Sequence, residues 1–383
     1  MAKITYTKYI LPTEVENYGV MNEFDDRFKT IDYVYVESSD EVEDAGANKA
    51  FYRTSPSDYC IANGALQSIM IDEPTEKAAG QWWLRTPHSA HMVEKFNGYG
   101  YIMAADVAEK DIMLCPNIRL DAKIVDKQRQ LLGDMFKIET VKDAKGKVAY
   151  HTIVFGEFPQ SYVGKYLNAQ LEICYRTGQL HPTGKKYTAR MDDAGKIHFA
   201  QEYEFKGKKY VRIKNYQPAK SEFKDGTPVK HGKFTWFEVE PIKWKIVNWG
   251  DMQKSINPNG NDNAKAINVR SEQGLVVLPF YSNEVDRNSR YWQNSTPRGY
   301  LNGINVNNIA HNDKNGYSAQ AGGDFSGGQN FLQEAEIGLI ITMAQRRTSQ
   351  PTKGQKTQER LNSGLATKLM GSYLEDLNSM GKN

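Results

Sequence analysis

The sequence predicts a β-rich α+β fold: mixed sheets with a few short helices and long polar loops, followed by a C-terminal amphipathic helix. Three observations carry this. Trp82 and Trp83 are adjacent within QWWLRTP (81–87), and neighbouring side chains of a strand point to opposite faces. A strand that needs cover on both faces is central, and each buried indole brings an N–H that requires an acceptor. The 22 tyrosines, within 11% aromatic residues, favour pleated and half-buried surfaces. Residues 234–249 (FTWFEVEPIKWKIVNW) alternate apolar and polar with period two.

At 383 residues the chain exceeds one average domain. We read two β-rich halves, 1–125 and 126–345, either separate or packed as one unit, then a basic linker at 346–360 and a helix within 361–383. A net charge of +3 is too small to argue for nucleic acid, which is not an expected partner. Cys60, Cys115 and Cys174 are widely spaced and lack a CxxC, which fits reduced thiols better than a disulfide framework. No apolar run approaches the roughly 20 residues that span a bilayer, and none follows Met1-Ala2-Lys3. The expectation is a soluble chain without a membrane span, cytoplasmic or exported by a route that leaves no signal.

Taken in order, ITYTKYIL (4–11) is β-prone, and Pro12-Thr13-Glu14 reads as the start of a short helix ending near Phe28. IDYVYVE (31–37) alternates as a strand, and the acidic stretch 38–50 reads as a solvated loop. Ser57-Asp58 can cap a short helix running through Tyr59, Ala62 and Leu66. The tandem-tryptophan strand follows, with Pro87 ending its pairing. YGYIMAA (99–105) and IMLCPNIRL (112–120) are further strands, entered through Gly98 and Gly100. Residues 136–141 and 148–156 form a hairpin about a turn at 143–147. Residues 162–177 set Val163, Tyr166, Leu167, Leu171, Cys174 and Tyr175 at helical spacing, with Gly178 as the C-terminal cap. Residues 202–205 and 210–214 pair about Gly207. Pro241 interrupts 234–249, so two strands or an edge are expected there. Residues 331–343 read as a buried helix or strand pair. In 345–360, Arg346, Arg347, Lys353, Lys356 and Arg360 face Glu359 alone, as in a disordered basic linker. Leu361, Leu365, Leu369, Tyr373 and Leu377 space an amphipathic helix over 361–380 that docks on the body or on a partner.

SDYCIANGA (57–65), WWLRTP (82–87), a Tyr- and Gly-rich hairpin and NIRLDA (117–122) resemble, in order and spacing, a large uncharacterised bacterial and phage-associated family. That family is a domain of unknown function (six-two-seven-three) whose members read TDYAxxxGA…WWLRSP…GVRPAL. FGEFPQSYV (155–163), EYEFKGKKYVRIK (202–214), WFEVEPIKWKIVNW (236–249) and YWQNSTPRGYLNG (291–303) resemble its companion region, FGEYPQT…VEPIKW…WxNSxxRxxLN. The resemblance covers most of 57–303. The chain departs at Asn117-Ile118-Arg119-Leu120, where the family has a glycine before the arginine and a proline after it. The family is in turn similar to C-type-lectin-like and formylglycine-generating-enzyme-like folds, which implies C-type-lectin-like mixed sheets here. It has no assigned activity, and its company implies a virion, tail or cell-surface role.

In the family-like pattern Arg85 and Arg119 lie on neighbouring strands. Two facing guanidiniums either clamp a ligand's carboxylate or phosphate, or pair with Asp121, Glu94 or a carbonyl to stitch layers. His88 and His91, three apart, would seat a metal on a helix, but no third ligand follows them. Asn257, Asn259, Asn261 and Asp262 offer oxygens with a single carboxylate and no EF-hand spacing, as in a polar turn. No metal or cofactor is expected. The segments 250–263 and 283–330 are rich in Asn, Gly, Ser and Tyr, the chemistry of binding loops on a rigid scaffold. Contact candidates there are Asn259, Asn261, Asp262, Tyr291, Asn307, Asn308 and Tyr317, with Tyr281 and Tyr300 among the surrounding aromatics. Trp292 and Leu301 read as core. There is no GxGxxG, P-loop, HExxH or GxSxG.

The reading that follows is a non-enzymatic recognition or structural protein presenting those loops to a protein or glycan ligand. Helix 361–380 would engage a virion or envelope partner. Two alternatives stay open. The resemblance suggests an oxidoreductase of the formylglycine-generating type using Cys60 and Cys115, which otherwise read as buried, inert thiols. The basic segment 346–360 suggests a nucleic-acid or assembly protein.

Overall fold

The computed structural model describes residues 10–17, 29–44, 49–68, 79–89, 91–121, 139–142, 146, 148–192, 197–250, 266–281 and 290–302. The elements expected at 331–343, 346–360 and 361–380 lie outside them. The described chain is β-rich. Its strands are β1 (Thr13–Val15), β2 (Thr30–Asp32), β3 (Val34–Tyr35), β4 (Ser55–Pro56), β5 (Gln67–Ser68), β6 (Ala79–Gly80), β7 (Trp82–Ser89), β8 (Met92–Phe96), β9 (Ile102–Asp106), β10 (Met113–Leu114), β11 (Asn117–Asp121), β12 (Glu139–Lys142), β13 (Val148–Tyr162), β14 (His181–Met191), β15 (Ile197–Phe205), β16 (Lys208–Lys214), β17 (Phe234–Gly250), β18 (Ala266–Ser271), β19 (Gln273–Gly274) and β20 (Val276–Val277). The helices are α1 (Ser39–Asp44), α2 (Lys49–Tyr52), α3 (Asp58–Ala62), α4 (Lys165–Arg176) and α5 (Thr296–Asn302).

The larger sheet grows from β17. This 17-residue strand pairs with β13 along one edge. Along the other it pairs first with β16, from Phe234 to Glu238, and then with β18, from Trp244 to Gly250. β16 leads on to β15 and β14, β18 leads on to β11 and β3, and every pairing is antiparallel. The strand does not divide in two at Pro241, and the other expectation, an edge, holds locally. Proline lacks an N–H, and Pro241 falls between Glu238 and Trp244, where neither β16 nor β18 is paired, so no ladder bond on that edge is lost. On the β13 side a bulge sits nearby, and Gln160 donates from Nε2 to the Glu240 and Pro241 carbonyls at 2.9 and 3.1 Å.

β7 is the middle of a five-stranded sheet ordered β20-β10-β7-β8-β9. Trp82 and Trp83 are both fully buried and sit in different apolar clusters, one on each side of the strand. Trp83 Nε1 donates to the Leu278 carbonyl at 2.9 Å. Trp82 Nε1 has no acceptor among the described residues, and the Trp82 ring lies beside the Arg270 guanidinium. Pro87 does not end the strand, which continues to Ser89, because bulges between Trp83 and Ser89 absorb it. The bulge turns the Arg85 N–H away from β8, to the Glu37 carbonyl at 2.9 Å. Both sheets mix strands from either side of residue 125, since β10 pairs with β20 and β11 with β18.

Other expectations are corrected locally. Thr13–Val15 is a strand paired with β2 rather than the start of a helix. The strand expected at 31–37 is split into β2 and β3, and 112–120 is split at Cys115-Pro116 into β10 and β11. The acidic stretch 38–50 holds α1 and α2. Ser38 and Glu41 form a capping box: the Ser38 N–H donates to Glu41 Oε2 at 2.9 Å and the Glu41 N–H to Ser38 Oγ at 3.2 Å. Ser57 caps α3 as expected, accepting from the Cys60 N–H. α4 packs Leu171 and Cys174 on Trp236 and Tyr210, whereas Tyr166, placed on its apolar face by spacing, is 90% exposed. The β15–β16 turn uses Lys206 and Gly207, both at positive φ, which suits a two-residue hairpin.

Candidate functional site

Directly opposed residues of an antiparallel sheet project from the same face. The register therefore aligns Thr152, Lys245, Arg270, Asn117 and Tyr35 in one row across β13, β17, β18, β11 and β3. All five are buried. The opposite face of these strands carries Ile153, Trp244, Val269, Ile118 and Val34 and forms the main core. The sheet is thus apolar on one side and charged on the other, yet closed on both. Phe51 and Tyr52 of α2, together with Trp82 and Tyr150, cover the charged side.

Two cations lie directly opposite each other there. Arg270 pairs with Glu37 at 3.1 Å, donates to the Phe51 carbonyl at 2.9 Å, and sits 4.6 Å from the Tyr52 ring centre and 5.0 Å from that of Trp82. Lys245 Nζ donates to the Phe51 carbonyl at 3.0 Å and lies 4.6 Å from the Tyr150 ring centre. Burial, with Arg270 adding repulsion, pulls the Lys245 amine down to about 7. Burial also pushes the Glu37 carboxyl up, against the pull of Arg270. Tyr52 Oη, Trp82 Nε1, Arg270 Nε and Thr152 Oγ1 are buried without a hydrogen-bond partner among the described residues. This layer places two buried cations side by side, an arrangement not anticipated from the sequence. A signal existed: the alternation around Trp244 puts Lys243 and Lys245 together on the face opposite the core.

The predicted arginines do not sit on neighbouring strands. Arg85 belongs to the five-stranded sheet and Arg119 to the larger one. Arg85 is spent on the fold: its guanidinium meets Glu41 at 2.5 and 2.9 Å and donates to the Val36 and Glu16 carbonyls. Glu41, not Glu94 or Asp121, is its carboxylate partner. Arg119, also buried, donates from Nε to Asn268 Oδ1 at 3.1 Å. Tyr281 and Tyr300, expected at the surface, are buried at 8% and 1% exposure, and Trp292 and Leu301 are core as read. Tyr291 is half-buried against Arg290. His88 and His91 lie on the β7–β8 hairpin rather than a helix, His88 Nδ1 is 3.4 Å from Glu94 Oε1, and no cluster of three metal-ligating groups occurs among the described residues. Cys60 and Cys115 share one apolar cluster, fully buried. Burial pushes the Cys115 thiol up to about 12 and the Cys60 thiol well above its ordinary value, the reverse of an activated nucleophile. Asn259, Asn261, Asp262, Asn307, Asn308 and Tyr317 lie outside the described residues.

What the described fold does fix is where the asparagine-rich segment is anchored. Gly250 pairs with Ala266, and Ala266 pairs with Asp121. Residues 251–265 therefore leave and rejoin the sheet at one point, next to the residue from which 122–138 departs. Arg119 and Asn268 lie one same-face step below this rim. No family model, curated protein or solved structure matches the chain.

Proposed function

We propose a non-enzymatic recognition protein, C-type-lectin-like in the arrangement of its sheets, that presents the segment 251–265 to a protein or glycan ligand. The observation that carries this is the Gly250–Ala266 pair, which pins both ends of a 15-residue polar segment on a buried, ion-paired sheet. Pairing of the two ends fixes where the segment is presented, and Asn259, Asn261 and Asp262 supply adaptable hydrogen bonds. Asn307, Asn308, Tyr317 and Tyr291 extend the contact surface in the same reading. The motifs around Trp82-Trp83 and 236–249 resemble a phage- and bacteria-associated domain family, which supports a virion- or cell-surface-associated setting with the amphipathic segment 361–380 on the partner side.

The test replaces 252–264 with a two-residue Asn-Gly turn and compares both chains on a glycan array and in pull-downs from a bacterial envelope extract. Loss of the captured ligand with the melting transition within about 3 °C supports the reading, since loop length itself costs little. Undiminished capture by the shortened chain overturns it.

A further inference from the structure

The charge of this chain is unevenly spread. Residues 165–233 hold 15 Lys and Arg against 7 Asp and Glu, a surplus of eight, whereas the whole chain has a surplus of three. The rest of the chain is therefore net acidic, and the basic segment folds as α4, β14, β15, β16 and the turn into β17. Where β16 and β17 meet α4, Arg212 adjoins two rings that reach solvent, Phe234 of β17 and Tyr175 of α4. Arg212 lies 3.6 Å from the ring centre of Phe234 and 4.5 Å from that of Tyr175, rings that are 47% and 37% exposed. Lys214 pairs in register with Phe234. Beyond it, Asn215 ties down the 230–233 turn: its N–H donates to the Lys233 carbonyl at 2.8 Å and its Nδ2 to the Lys230 carbonyl at 3.2 Å. Lys214, Lys230 and Lys233 are exposed and have no ion pair among the described residues. Glu172 beneath them is fully engaged, bonded by Arg212, Arg176 and Trp236, and the Arg212 hydrogen bonds hold its carboxyl down to about 2.

We propose that this face is a binding platform for single-stranded nucleic acid. The exposed Lys214, Lys230 and Lys233, without an ion pair among the described residues, match a polyphosphate backbone. Open, guanidinium-backed rings match unstacked bases, which a duplex does not offer. A pocket is not required, because stacking uses the flat outer side of a ring. The platform lies at the first residue of β17, and the rim that anchors 251–265 lies at its last, up to about 50 Å away along the strand. The two surfaces are therefore independent, and neither proposal needs the other.

The experiment is fluorescence anisotropy of a labelled 15-nucleotide oligo(dT) with the full chain at 50 and 200 mM KCl. Saturable binding that weakens with salt is expected. Lys214→Glu with Lys233→Glu should weaken it at least ten-fold and flatten the salt dependence. Phe234→Ala should weaken it roughly ten-fold while leaving the salt slope nearly unchanged. Melting curves of each variant accompany the binding, and if Phe234→Ala unfolds the chain, the double lysine variant at exposed positions decides alone. Absence of oligo(dT) binding overturns the proposal. So does tighter binding of a sulfated glycan with no effect of Phe234→Ala, which would mark a charge-only surface. So does binding that survives the lysine reversals but is lost when Lys353, Lys356 and Arg360 are reversed.

Discussion

Lys245 and Arg270 face each other across two hydrogen-bonded strands, a placement that sheets normally avoid because like charges repel there. The fold tolerates it by giving Arg270 the Glu37 carboxylate and both cations aromatic faces and the Phe51 carbonyl. Lys245 still bears a cost, visible in an amine held at about 7 where an ordinary lysine lies at 10.5. The sign follows from proton counts. Below pH 7 the amine is charged in both states, so the penalty is at its full and constant value. Between pH 7 and 10.5 the unfolded chain binds the proton and the folded chain does not, so stability rises with pH through that window. Lys245→Met removes the contribution, while Arg270, Glu37, Glu272 and Cys115 around it remain. Urea denaturation at pH 7 and pH 9.5 should show wild type gaining on the variant by on the order of 3 kcal/mol. Parallel stability profiles for the two proteins would sink this account of the buried layer.

At the scale of elements, Met113 of β10 is clasped between two short ribbons, β5–β6 and β4–β19. A side-chain carbon on Gly80 would meet Met113 Cε at 2.9 Å, and one on Gly274 would run into the Met113 sulfur itself. Both glycines have ordinary backbone angles, so the constraint is space rather than conformation. Gly274→Ala should cost about 2 kcal/mol or more, and adding Met113→Ala should return part of it, as measured by chemical denaturation. If the double variant is no more stable than the sum of the single losses predicts, the clasp is not what excludes the methyl group. The same elements mark what a sequence can and cannot tell. β7, β16, α4 and the 234–250 strand were legible because period-two or period-3.6 alternation is local information. The capping box of α1 was readable in Ser38-Ser39-Asp40-Glu41 but hidden by its acidic surroundings. Pro241 is legible as an edge position but not as a tolerated one, because its tolerance depends on β16 ending where β18 has not yet begun, a pairing gap no local window contains. Arg85 stitches layers, one of its two expected roles, but through Glu41, which lies 44 positions away and outside any local window.

For the molecule as a whole, length suggests two halves, but the pairings cross residue 125 repeatedly. β11 takes β18 along its full length, β10 takes β20, and Trp83 donates to Leu278. Asn302 accepts from the Tyr33 and Val34 N–H groups and donates to the Val34 carbonyl, tying α5 to β3. Asp32 is shared by Arg298 Nε and Trp292 Nε1, each at 2.8 Å, and both Asp32 and Arg298 are nearly fully buried. Residues 1–125 alone would leave that carboxylate only the Thr30 hydroxyl, which donates to it at 2.7 Å, and would lose the buried ion pair with Arg298. They would also expose Trp83, whose core contains Trp244, Phe280 and Trp292. A fragment of 1–125 should therefore show no cooperative thermal transition and a collapsed amide proton spectrum. Mixed with a fragment beginning at residue 126, it should regain dispersion if the two are folded together from denaturant, because the missing partners β18, β20 and α5 are then supplied. A well-dispersed spectrum from 1–125 alone would show instead that the crossing pairs join two bodies already folded, and that the charged layer between the sheets is an interface rather than a core.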